Sequence, residues 1–166
     1  AAIGDTVALH GTRLEGTGRS VLLVNDRFDI ALERPVLAPQ LPDRPATTVA
    51  AFSLAGQQDA LPAGLYRATL RLTRPDVLGV DREMLSNPQL FTLAPAITNL
   101  PQSVARDGDQ SATLTITFTP ALRPGQRATL VVGAREVAAL TAGATPTSLQ
   151  FRVSDAAAGV HLVRLR

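Results

Sequence analysis

The stretch Leu61-Pro-Ala-Gly-Leu-Tyr-Arg-Ala-Thr-Leu-Arg-Leu-Thr73 carries the architecture of the chain. A proline–glycine turn feeds an alternating run in which Tyr66, Ala68, Leu70 and Leu72 share one face. Leu65, Arg67, Thr69 and Arg71 share the other. A period of two is that of a half-buried strand, so this run is read as a central β-strand. The pattern returns at the end as Ala157-Ala-Gly-Val-His-Leu-Val-Arg-Leu-Arg166, with His161 where Tyr66 stood. Two glycine-led ribbons of this kind point to two β cores.

Working outward, the segments between turns also alternate. Gly4 to Gly11 places Val7 and Leu9 on one face, and Ser20 to Val24 is a short apolar strand. Thr12 to Arg19, with Gly16 and Gly18, reads as a turn. Arg34 to Pro45 holds four prolines (Pro35, Pro39, Pro42 and Pro45) and reads as an extended loop or edge segment. Thr47 to Leu54 turns Ala50, Phe52 and Leu54 inward. After the central strand, Arg74 to Pro88 is a long hairpin loop and Gln89 to Ala94 the return strand.

Pro95 to Pro101 bridges to a second unit, whose clearest strand sets Ala112, Leu114, Ile116 and Phe118 against Thr113, Thr115, Thr117 and Thr119. Pro124-Gly125 turns into Ala128 to Val132, with Glu136 to Leu140 as its pairing candidate. Leu149, Phe151 and Val153 then alternate with Gln150 and Arg152 before the final ribbon. Gly4-Asp5 matches Gly108-Asp109, Ser20 to Val24 matches Ala128 to Val132, and Ala63-Gly-Leu65 matches Ala158-Gly-Val160, in the same order. Insertions in loops make such offsets drift without disturbing order. Two domains are expected, residues 1–94 and 95–166, and no segment has sustained helical periodicity.

Composition narrows the function classes. Of 166 residues, 45% are hydrophobic and only 4% aromatic, which gives small cores of Val, Leu, Ile and Ala. With no cysteine, neither a disulfide nor a thiolate metal site is available. Sixteen basic residues, all arginine, against fourteen acidic ones leave a net charge of +2, a weak footprint for a nucleic-acid binder. No apolar run approaches the length of a membrane span.

A resemblance follows from these stretches. In immunoglobulin-type sandwiches the sixth strand opens with a Tyr that ties back to the preceding corner, two residues before the usual Cys site. Tyr66 and Ala68 stand at those places, without the disulfide. Gly4 to Gly16 and Ser86 to Ile97 resemble strand and hand-over signatures of IPT/TIG-type immunoglobulin-like domains. Arg123 to Gly133, Ser148 to Val153 and Gly159 to Arg166 look like the C-terminal immunoglobulin-like part of tail-terminator (cap) proteins in phage-tail-like contractile injection systems.

The resemblance implies an all-β fold of two tandem immunoglobulin-like (IPT/TIG, E-set-type) β-sandwiches, and a bacterial, non-enzymatic part of a phage-tail-like particle assembled in the cytoplasm. It implies partners among the particle's subunits, in a homo-oligomeric ring formed through a cap domain absent here. It carries no cofactor, nucleic acid or site residue with it. A counterpart to the return strand Gln89 to Ala94 has no room after Arg166, so the second sandwich is expected to lack its last strand. Its open edge along Val160 to Arg166 would then be filled by further chain or by a partner's strand. A surface adhesin or a carbohydrate-binding module on a larger protein is the alternative.

The candidate chemistry is sparse. His10 and His161 are the only imidazoles and would have to converge with carboxylates to hold a metal or drive a triad. Asp26, Asp29 and Glu33, and likewise Asp76, Asp81 and Glu83, lack calcium-loop spacing and read as solvated loop charge. Asp107-Gly-Asp109 is a turn signal. Arg67, Arg71, Arg164 and Arg166 fall on outward strand faces without the aromatics that stack bases. Catalytic, cofactor and metal residues are therefore expected to be none.

Overall fold

A computed structural model describes residues 1–38, 48–140 and 146–166, and among these the chain is all β. It divides into two compact units, one of residues 1–57 and 64–93, the other of 58–63 and 94–166. The second thus resumes at Ala94, beside the cut expected at 94/95, and also takes in 58–63.

In the first unit β1 (Thr6–His10) pairs antiparallel with β4 (Val49–Ser53). The other sheet runs β3 (Ile30–Pro35), β2 (Thr17–Asn25), β5 (Gly64–Pro75), β6 (Asp81–Leu85), with β7 (Gln89–Leu93) also on β5. The central strand reads as expected: Tyr66, Ala68, Leu70 and Leu72 are buried and meet Val21, Leu23, Phe52 and Leu54 in burial. The sheets touch through rings, Phe91 of β7 lying 5.6 Å from Tyr66 in a stack and 6.2 Å from Phe52 edge-on. β6 and β7 occupy successive halves of one lane beside β5. Pro88, lacking an N–H, interrupts that lane, and the Ser86 hydroxyl accepts the Leu70 N–H at 3.0 Å in its place.

In the second unit one sheet runs β12 (Ser148–Val153), β9 (Ala112–Thr119), β8 (Ala96–Ile97). The other runs β11 (Arg135–Ala138), β10 (Thr129–Val132), β13 (Val163–Leu165). Leu114, Ile116 and Phe118 of β9, Leu149 and Phe151 of β12, Leu130 and Leu165 close one apolar core. The unit repeats the pairings of the first. β9–β12 matches β1–β4, β10–β11 matches β2–β3, and β10–β13 matches β2–β5.

Several expectations need correction. Thr12 to Arg19 is not all turn, because β2 starts at Thr17, with a register shift between Thr17 and Ser20. Gly16 permits that start: a Cβ there would lie 2.8 Å from the Thr73 carbonyl oxygen. Arg74 to Pro88 is not all loop, since β5 runs to Pro75 and β6 pairs back against it, leaving 76–80 and 86–88 outside strands. The proline-rich segment keeps its reading as an edge where it is described, since Arg34 and Pro35 end β3, the outer strand of its sheet, while Pro39, Pro42 and Pro45 lie outside the described residues. The final ribbon shrinks to β13, and Val160 and Leu162 stand exposed before it.

Candidate interaction surfaces

The outward face of β5 gathers charge in pairs. Arg67 donates to Asp26 at 2.7 Å, and Arg71 lies between Glu33 at 3.5 Å and Glu83 at 3.4 Å. The Ser20 hydroxyl donates to Glu33 from the neighbouring strand. Cross-strand opposite charges satisfy one another here, so the face offers little free positive field to a polyanion. These pairs are half exposed and contribute at most about 1 kcal/mol each. Leu65, Leu85 and Leu90 share this face and are exposed.

The imidazoles lie in different units. His10 ends β1 with its side chain exposed. His161, also exposed, sets Nε2 3.0 Å from the Ala157 carbonyl, so that the Nε2–H tautomer donates a local corner bond. It does not occupy the place Tyr66 holds, for Tyr66 is fully buried within β5. Among the described residues no group of three or more His, Cys, Asp and Glu could hold a metal ion.

Of the acidic residues expected to be loop charge, Glu33 lies on β3 and Asp81 and Glu83 on β6, whereas Asp76 and Asp109 serve turns. Ser111 donates to Asp109 through its hydroxyl at 2.6 Å and its N–H at 3.1 Å, and Arg152 donates at 2.5 Å. Those bonds, the Ser111 hydroxyl first, hold the Asp109 carboxyl down to about 2. Asp76 closes the β5–β6 turn. Its carboxylate accepts from Arg82 at 2.7 Å and from the N–H groups of Val80 at 3.0 Å and Leu78 at 2.8 Å, which lowers its pKa. Gly79 completes the turn at φ +76° and donates to the Asp76 carbonyl at 3.0 Å.

That turn presents a surface that sequence reasoning left inside a loop. Val77, Leu78 and Val80 are 101%, 81% and 55% exposed, three aliphatic side chains on a backbone with its conformation already set. The signal was visible in Pro75-Asp-Val-Leu-Gly-Val80, because turns favour polar residues and this one is apolar.

A second surface lies along β13. Arg166 and Thr129 exchange both backbone bonds, at 2.9 and 2.8 Å, and Gly133 donates to the Leu162 carbonyl at 2.9 Å. Antiparallel alternation then turns the N–H and C=O of Val163 and Leu165 away from β10, where no strand of the described residues pairs with them. Beside them runs an open trough of about 320 Å³ lined by Pro95, Ile97, Leu100, Val163, Arg164 and Leu165. Arg164 makes no ion pair among the described residues, whereas Arg166 pairs with Glu136 at 3.0 Å. Another depression, about 210 Å³, is lined by Gln58, Asp59, Ala121 and Arg123. No helix among the described residues is long and apolar enough to cross a membrane.

Residues 95–166, a little under half of the chain, match the model of a family described as a domain of unknown function (DUF8756). No curated protein matches the chain, and no solved structure does.

Proposed function

We propose that the chain is a non-enzymatic assembly module built as tandem immunoglobulin-like sandwiches. Its place would be a multi-subunit particle of the contractile-injection type, beside the cap. The observation that carries the reading is the repeated pairing scheme, in which three antiparallel pairs of the first unit recur in order in the second. Support also comes from the resemblance of Arg123 to Gly133 and Gly159 to Arg166 to cap-protein extensions. The surfaces fit such a role: paired charges on the sheet face, an apolar turn and an open strand edge are features of contact surfaces rather than of a reaction centre.

The carbohydrate-binding alternative finds less support, because sugar stacking needs exposed rings and Tyr66, Phe52, Phe118 and Phe151 are buried. The test is microscopy of particles from a host whose protein carries an epitope in the exposed 55–56 turn, away from the surfaces described above. Antibody label at one end of sheathed particles is the expected result. Label absent from particles, or on the cell surface alone, overturns the reading.

A further inference from the structure

The geometry points to a head-to-tail contact between copies of this chain, in which the Val77–Val80 turn of one copy docks in the β13 trough of the next. This deepens the assembly reading and rests on it.

Three complementarities carry the inference. The turn is an apolar knob that costs little to dock, because the bonds from Leu78, Val80 and Arg82 to Asp76 have already ordered it. The trough offers Ile97, Leu100, Val163 and Leu165 as apolar lining. Charge matches as well. Asp81, at the foot of the turn, and Arg164, in the trough, each lack an ion-pair partner among the described residues, and they are opposite in sign. The backbone agrees: the Val77 and Leu78 carbonyls accept nothing within the turn, and the Val163 and Leu165 N–H groups face away from β10 without acceptors among the described residues.

A bilayer suits the knob less well. Asp76, Asp81 and Glu83 outnumber Arg74 and Arg82 around it, and it has no aromatic residue to anchor at a lipid interface. Knob and trough are different patches, so the contact propagates into rings or open chains wherever it does not close reciprocally between two copies.

Sedimentation velocity on the purified 166-residue chain, from about 10 μM to about 1 mM, covers the range where a weak specific contact fills. The sedimentation coefficient should rise with concentration. Leu78→Asp, Asp81→Arg and Arg164→Asp should each weaken association about tenfold or more, the loss expected from an aliphatic contact or a desolvated charge pair. The double variant Asp81→Arg/Arg164→Asp should recover most of it, which a merely structural role would not produce. All three side chains are exposed, so folding should survive; a variant with altered circular dichroism is replaced by Leu78→Asn, Asp81→Asn or Arg164→Gln. A concentration-independent wild type, an unaffected Leu78→Asp, an unrescued double variant, or sedimentation with phosphatidylserine vesicles would each overturn the contact. Self-association is read on the isolated chain, so its failure would leave the label on native particles unaffected.

Discussion

Replacing Leu130 by Ala tests the account of the second core most directly. Leu130 is fully buried at the centre of β10, opposite Val137 of β11 and Leu165 of β13. The change removes roughly three carbons' worth of apolar burial, about 2.4 kcal/mol at about 0.8 per methylene. A cavity term adds to this where neighbours cannot close in. The core is small, and Leu165 and Val137 are held by strand pairing, so little collapse is expected. The total should come to about 3–4 kcal/mol, within the usual range for a buried leucine. For a unit of this size that lowers its melting midpoint by roughly 12–30 °C.

The control is Leu162→Ala, the same substitution at an exposed residue just before β13, expected to change stability by less than about 0.5 kcal/mol. Hydrogen exchange of the β9, β10 and β12 amides, with urea unfolding for the free energy, reads both. A Leu130→Ala cost under about 1 kcal/mol, or a Leu162→Ala cost equal to it, would refute the placement of the core.

Gly16→Ala should destabilise by about 1–3 kcal/mol in urea melts, since its Cβ would meet the Thr73 carbonyl at 2.8 Å and something must move; a neutral result would mean that the approach is looser. Asp109 titrates from about 2 in the folded chain against 3.8 unfolded, so its stabilising bonds are complete above about pH 4 and are lost as pH falls toward 2. Ser111→Ala should raise the Asp109 pKa measured by carboxyl NMR, and no movement would assign the depression to the residue-111 N–H and Arg152 rather than to the hydroxyl. Asp76→Ala should leave the midpoint of unfolding nearly unchanged while exchange at Leu78 and Val80 accelerates, because their N–H groups lose their acceptor.

The inward faces could be read from the sequence because alternation is local. Tyr66 to Leu72, Ala112 to Phe118 and Leu149 to Val153 each carry their own period of two, and a strand buried on one face needs nothing more to declare it. The order of the repeated motifs likewise survived insertions in loops.

What tertiary contact alone decided was pairing and its limits. β6 carries no alternation and is a strand because β5 offers it a ladder. The last ribbon is ordered as strand only from Val163 to Leu165, where β10 supplies the opposite backbone, and Val160 and Leu162 stay in solvent despite their hydrophobicity. His161 follows Tyr66 in motif but not in burial. The same distinction hides the candidate surfaces: the Val77–Val80 knob depends on a carboxylate folding back on its own turn, and the trough on an edge that no strand of the described residues pairs with. Periodicity is a property of one segment, whereas a ladder, an edge and a groove exist only where segments distant in the chain meet.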